Sequence, residues 1–489
     1  MKRNFALCVV FLLLTVNLSA LTTIEVDMMK KGVFAQRRQV FMDKMDGGIA
    51  ILKGAEHVIR NNDIEYEFRQ DSNFYYLTGF EEPGAILVLI PGKKDDKTDE
   101  PGKFILFVVP NSPMREMWTG KHDGVDEAKT VYGANEAYPV TEFDTKLRTL
   151  LMFKEKIYCN FSQDELLQKI TDKIKHHAGF ESIPLLDPRP LLGEMRQIKS
   201  ADELKLLQKA VDITSAAQQE AMKALVPGMY EYEVTAILNY VFGKNASPRS
   251  GCMFIVASGP NSAVIHYNSN NRQMQKEDLL LIDISAEYGY YAADISRTFP
   301  VSGTFSQNQK DIYNIVLKAQ EKAIKNIKPG VGLREVMNYA IDELKDGLFN
   351  LGLITDKQSQ WQTMVWIFST GISHSLGIDI HDVEGSEFRS PKGRILEPGM
   401  VFTVEPGIYI NVDILDKIPS LAPPSIPKEE IAAFVAKVRP IALKYKDISV
   451  RIEDDVVVTE TGYNVLSAST PKTVAEIEKL MKQQSHFNK

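Results

Sequence analysis

The sequence predicts a two-domain protein of mixed α and β structure, and three observations carry that expectation. Its 489 residues exceed what one hydrophobic core usually supports. Short apolar runs bounded by glycine, proline or charge alternate with helical patterns from about residue 24 to 185, and again to about 465. A composition of 44% hydrophobic and 25% charged residues is that of an ordinary globular chain and leaves no room for long disorder or a fibrous repeat. No tandem repeat or low-complexity tract interrupts the pattern.

The first segment, MKRNFALCVVFLLLTVNLSA (1–20), joins a basic start to an apolar run from Phe5 to Val16 and the small residues Ser19-Ala20. That is the outline of a secretory signal peptide, so the expectation is an exported, periplasmic or secreted protein cleaved near Ala20. The run is shorter than the about 20 apolar residues of a membrane span, and no later segment reads as one. The net charge of −7 argues against non-specific binding to nucleic acid. Without the leader only Cys159 and Cys252 remain, which is no disulfide framework and too few for a Cys/His zinc site. Two free, buried thiols are expected.

The N-terminal domain spans 24–185. Within it GGIAILKG (47–54), AILVLIPG (85–92) and KFILFVV (103–109) predict buried strands, and KKDDKTDEPG (93–102) a solvated loop. The proline-bearing segment IPLLDPRPLLGEMRQIK (183–199) marks the boundary, and a second domain covers 190–483. There Ser200 and Glu203 form a capping box in front of a long helix, and TVAEIEKLMKQ (473–483) predicts a closing helix. The Pro-punctuated stretch 411–449 predicts an inserted loop with a short helix.

The stretch LLLIDISAEYGYYAADISRTF (279–299) places Asp283 and Asp294 inside apolar runs that predict paired strands. A two-residue turn at Tyr288-Gly289 would set the two carboxylates directly opposite each other. Facing carboxylates in a buried sheet call for a cation between them. Further ligands are available in His374 of GISHSLGIDIHD (371–382), Glu405 of MVFTVEPGIYI (400–410) and Glu453 of VRIEDDVVV (450–458). Each alone has an ordinary explanation, as an edge carboxylate or a core histidine. Together, four carboxylates and one imidazole suffice for two divalent cations. The oxygen-rich set favours Mn²⁺, with Co²⁺ or Zn²⁺ as alternatives. Two such ions about 3.5–4 Å apart can activate a shared water, which is hydrolytic chemistry.

The order of these residues, with His266 ahead of the first aspartate, resembles the metallopeptidases of the pita-bread fold, and among them aminopeptidase P, the Xaa-Pro aminopeptidases. The matching stretches include VIHYNSNN (264–271), LLLIDISAEYGYYAADISRTFPVSG (279–303), SHSLGIDIHDV (373–383), VFTVEPGIYI (401–410) and VRIEDDVVVTETG (450–462). In the N-terminal region RRQVFMDKM (37–45) and YEFRQDSNFYYLTGFEEPGAILVL (66–89) also match.

The resemblance implies an N-terminal α/β domain with a mixed sheet, followed by an α+β pita-bread domain of curved antiparallel sheet covered by helices. It implies that Asp283 holds one metal, that Asp294 and Glu453 bridge both, and that His374 and Glu405 complete the site. By the same resemblance a hydroxide bridging the metals attacks the N-terminal Xaa-Pro bond of a peptide, and Glu405 takes its proton. His266 and His381 would position the scissile peptide and stabilise the tetrahedral intermediate, and Arg451 would orient the bridging carboxylates. A homo-oligomer, dimer or tetramer, is also implied. In it Trp118 of MREMWTGKHDG (114–124) is a candidate contact with a neighbour's substrate pocket.

Two departures from the family pattern stand out: Thr370 occupies the position of a usual histidine, and the segment between Glu405 and Glu453 is longer. The alternatives are a prolidase restricted to Xaa-Pro dipeptides and an inactive pita-bread protein that binds peptides. The large N-terminal domain disfavours a methionine aminopeptidase, and the full ligand set a metal-free amidinohydrolase.

Overall fold

A computed structural model describes residues 32–94, 99–152, 154–175, 183–367, 371–383 and 393–488; the leader at 1–20 and Thr370 lie outside them. The chain divides into two compact units, Met1–Met195 and Arg196–Lys489.

In the first unit the three apolar runs form the strands Ile49–Lys53, Ile86–Ile90 and Lys103–Val108 at the middle of a six-stranded sheet. Ile86–Ile90 is antiparallel to both neighbours, whereas Ile157–Cys159 and Glu136–Pro139 add in parallel, so the sheet is mixed. Its alternating side chains Ile49, Ile51, Val88 and Phe107 pack with Leu147 and Ile170 from two helices, all buried. Each such side chain contributes about 1.5–3 kcal/mol relative to exposure. Trp118 sits on the short helix Pro113–Thr119 and is 78% exposed.

The second unit has antiparallel strands backed by long helices, as a pita-bread domain would. Ile255–Ser258, Leu279–Ile284 and Ile295–Pro300 form one sheet, and Val401–Val404, Asp454–Val458 and Tyr463–Val465 another. The helix Ala201–Ala224 begins at the capping box, where Ser200 accepts from the Glu203 backbone and Glu203 accepts from that of Ser200. Each of two helices sends a buried glutamine amide to the strands beneath it. Gln218 donates to the carbonyls of Ile282 and Ile295 at 3.1 and 2.8 Å. Gln320, on Gln307–Lys325, donates to those of Val404 and Ile452. These bonds fix the helices over the strands that carry the acidic residues. The closing helix is Val474–Leu480, capped by Thr473.

Three expectations need correction. The hairpin turns at Gly289-Tyr290, one residue later than Tyr288-Gly289, with φ of 56° and 73° at the two positions. Both central residues are thus left-handed, as the tight hairpin turn that matches strand twist requires. Asp283 therefore lies opposite Ser296, not Asp294. Because the shift moves each partner by two residues, Asp283 and Asp294 stay on the same face and become diagonal neighbours.

The 411–449 segment is not a loop with one short helix but a pair of helices, Ile414–Leu421 and Lys428–Lys444. Both cysteines are free, but only Cys159 is buried; Cys252 is partly exposed. Among the described residues no helix is long and apolar enough to cross a membrane.

Candidate metal centre

Asp283 lies in Leu279–Ile284, and Asp294 immediately precedes Ile295–Pro300. Glu405 follows Val401–Val404, and Pro406 separates it from the next strand, Gly407–Tyr409. Glu453 falls between Ser449–Arg451 and Asp454–Val458, and its backbone N–H donates to the Ser296 carbonyl at 3.1 Å. His374 comes from a segment that runs beside Val401–Val404: Thr403 N–H donates to the His374 carbonyl, and Glu405 N–H to that of Ile372. Residues far apart in sequence are thereby brought to one place.

Asp294, His374 and Glu453 each offer a ligand atom, all within 4.8 Å of one another. His374 Nε2 lies 3.4 Å from Asp294 Oδ2, 3.4 Å from Glu405 Oε1 and 4.0 Å from Glu453 Oε1. Its Nδ1 is 3.1 Å from the Ser375 carbonyl, which can only accept, so Nδ1 carries the proton. Burial pushes the His374 pKa down to about 4, with His381 as a further cause. The ring is therefore neutral, and the lone pair of Nε2 faces carboxylate oxygens. A divalent cation would give that lone pair and the carboxylate oxygens one shared partner.

Two further observations fit a cation. Asp283 Oδ1 and Glu453 Oε1 are buried without a hydrogen-bond partner among the described residues. Asp294, Glu405 and Glu453 are also held far from the ordinary carboxylate range. Burial and then the charge of Glu453 push Asp294 well up, and burial and then Glu405 push Glu453 well up. Glu405 rises to about 8, mainly through burial and despite Arg451. Crowded, desolvated carboxylates resist ionising together, and a bound cation removes that penalty. The residues present fit a divalent metal pair with an oxygen-rich donor set. Although the Cys252 residue is partly exposed, burial of its thiol and then the charges of Asp283 and Glu453 push its pKa up.

Arg451 is buried among these acids. Its Nη2 donates to Asp283 Oδ2, its Nε to Ser296 Oγ at 2.9 Å and its Nη1 to the Tyr409 hydroxyl at 3.2 Å. Ser296 Oγ in turn donates to Glu453 Oε2 at 2.8 Å. Ser296 and Tyr409 escaped the sequence reading, although Ser296 stands two residues after Asp294 and so on its face. Asp455 was missed too; its Oδ2 accepts the Asp294 backbone N–H at 3.0 Å.

Between Glu453 and Asp455, Asp454 belongs to a separate ion network. It accepts from Arg297 Nη2 and Lys472 Nζ, both at 2.7 Å. Those cations hold its pKa well below the usual range against its burial.

The other two candidate histidines, His266 and His381, occupy loops and are exposed. The His381 ring lies 4.2 Å from that of His374, tilted by 55°. The next residue, Asp382, is buried between Arg196 Nη2 at 2.5 Å and Lys199 Nζ at 3.0 Å. No hydrogen bond or ring contact to the acids joins the His266 side chain to this cluster among the described residues.

The fold and the cluster define a metallopeptidase of the pita-bread class. Residues 205–460 match the family described as Metallopeptidase family M24, and residues 34–158 match Aminopeptidase P, N-terminal domain. The chain belongs to metallopeptidase family M24. It is 37% identical to Xaa-Pro aminopeptidase of Haemophilus influenzae, over 92% of this chain and 97% of that one. Against Xaa-Pro aminopeptidase of Escherichia coli the identity is 35%, with the same coverage of each chain. The solved structure of an aminopeptidase from Pseudomonas aeruginosa superposes with a TM-score of 0.80 at 36% identity, over 92% of this chain and 97% of that one.

Proposed function

We propose that this protein is a metal-dependent exopeptidase that hydrolyses the bond between the N-terminal residue of a peptide and a following proline. The observation that carries the reading is the convergence of a neutral His374 Nε2 on the oxygens of Asp294, Glu405 and Glu453. Near full-length similarity to Xaa-Pro aminopeptidases favours this over a prolidase. A complete ligand set disfavours an inactive peptide-binding protein.

Asp283, Asp294, His374, Glu405 and Glu453 would hold two divalent ions, of which Mn²⁺ suits the oxygen-rich set best, and Co²⁺ and Zn²⁺ are alternatives. When bound, such ions would supply a water of lowered pKa and polarise the scissile carbonyl. Glu405 is the carboxylate placed to take the proton of the attacking water, and its Oε1 accepts from Thr403 Oγ1 at 3.3 Å. An Xaa-Pro bond is a tertiary amide whose nitrogen must be protonated to leave, so a nearby proton carrier is required. His266 and His381 orient the scissile peptide, and Arg451 holds Asp283 and, through Ser296, Glu453 in their ligating positions. Export through the leader at 1–20 and assembly into a homo-oligomer, with Trp118 at the contact, complete the proposal.

The test uses Mn²⁺-loaded protein lacking residues 1–20, with Asp294→Asn as control, on an Xaa-Pro dipeptide and an Xaa-Pro-Yaa-Zaa tetrapeptide. Release of the first residue from the tetrapeptide, lost in the control, supports the aminopeptidase. Cleavage of the dipeptide alone makes the protein a prolidase. If neither peptide is cut while metal is bound, the binding-protein reading takes its place, with Thr370 the first residue to restore to histidine.

A further inference from the structure

Glu231 opens the helix Glu231–Lys244, is fully buried, and receives five hydrogen bonds from one loop. Its Oε1 accepts from the Ser258 backbone N–H at 2.8 Å, Ser258 Oγ at 2.7 Å and Asn261 Nδ2 at 3.1 Å. Its Oε2 accepts from the Tyr267 hydroxyl at 2.8 Å and the Arg272 backbone N–H at 2.9 Å. These donors lie on both sides of His266 in the chain, and Tyr267 is its immediate neighbour. The segment itself lacks regular structure after the single 3₁₀ turn Gly259–Ala263, so no ladder of backbone bonds holds it.

We infer that Glu231 is the positioning residue for His266: one buried carboxylate from a rigid helix gathers the loop and fixes where the imidazole stands. Only an ionised carboxylate fits this role, since it offers about four acceptor sites and no donor. A glutamine of the same shape would turn an N–H towards either Arg272 N–H or Ser258 N–H. That would leave a buried donor without a partner, and the loop would shift to relieve it. The loop has little slack elsewhere. Ser258 Oγ also accepts from Arg272 Nη1 at 2.8 Å, and a Cβ at Gly259 would come within 2.5 Å of Asp278 Oδ1. The catalytic consequence rests on the role proposed for His266; the anchoring of the loop does not.

The experiment compares Glu231→Gln, the milder Tyr267→Phe, His266→Ala and the double variant Glu231→Gln/His266→Ala, all Mn²⁺-loaded. Tetrapeptide kinetics, bound metal per chain and amide hydrogen exchange are read for each. The expected result for Glu231→Gln is a roughly 10- to 100-fold lower kcat, the range that a misplaced catalytic group costs, with KM and metal content unchanged. That loss should vanish in the His266→Ala background, because a residue acting only through His266 has nothing left to position. Tyr267→Phe should show a smaller effect of the same kind. An equal loss in both backgrounds, or a loss explained by missing metal, would overturn the assignment.

If the wild-type protein cleaves nothing, the proposed function fails, and hydrogen exchange still reads the anchoring. Faster exchange confined to 258–272 in Glu231→Gln supports it, and unchanged exchange sinks it.

Discussion

Arg451 reaches Asp283 directly and Glu453 through Ser296, so one guanidinium orients two acids from distant segments of the chain. Its planar fork serves three acceptors at once, which a lysine ammonium on a flexible stem does not reproduce. Arg451→Lys is therefore expected to keep the fold and weaken divalent-metal affinity by about 10- to 100-fold. Titration of metal into chelator-treated protein checks this, and unchanged affinity would remove Arg451 from the site's support.

The crowded acids predict a pH dependence of the metal-free protein. Burial and mutual repulsion raise the folded-state pKa values of Asp294 and Glu453, and that of Glu405 to about 8, whereas an unfolded glutamate titrates near 4.3. Between those values the folded state binds more protons than the unfolded one, so stability falls as pH rises towards about 8. Thermal melting in chelator from pH 5 to 9 should show the decline, and added Mn²⁺ should remove it. A metal-free Tm that rises over this range would contradict the geometry.

Asp454 is expected to behave unlike its neighbours Glu453 and Asp455. It is paired with Arg297 and Lys472, and its pKa is depressed, so its contribution is present above the ordinary aspartate value and is lost as pH falls below it. Asp454→Asn leaves Arg297 buried without its carboxylate, at a cost of about 3–5 kcal/mol. Urea denaturation measures that cost. Bound metal per folded chain should remain at the wild-type value.

Gly377 sits against the Asp382 clamp. A Cβ there would lie 2.1 Å from Asp382 Oδ2, whose partner Lys199 is itself buried. Gly377→Ala is expected to destabilise the protein by about 1–3 kcal/mol through overpacking. It should also lower activity, because the displaced residue adjoins His381. Equal stability of the two proteins in urea would show that the loop yields freely.

Much of the site was legible before the structure because its signals are local. Asp283, Asp294, Glu405 and Glu453 are conspicuous as acids in apolar runs, and the alternation of strand side chains placed the two aspartates on one face even though the turn was misplaced by one residue. The misplacement has a local cause: Gly289 is the only turn signal in the sequence between the two aspartates, while Tyr290 also adopts positive φ, which a tyrosine rarely does. The helical pair in 411–449 was hidden by its prolines, which read as loop punctuation although Pro419 and Pro440 lie inside helices.

The sequence by itself determined the elements and the chemistry they carry: the capping box at Ser200, the buried strands, and a donor set rich in oxygen with one imidazole. Those follow from side-chain periodicity and residue type, which act over a few positions. Only the tertiary structure decided that His374 meets Asp294, Glu405 and Glu453, that Ser296 links Arg451 to Glu453, and that Glu231 gathers the loop of His266. Such meetings depend on how sheets and helices pack across long stretches of chain, and no local spacing encodes that packing.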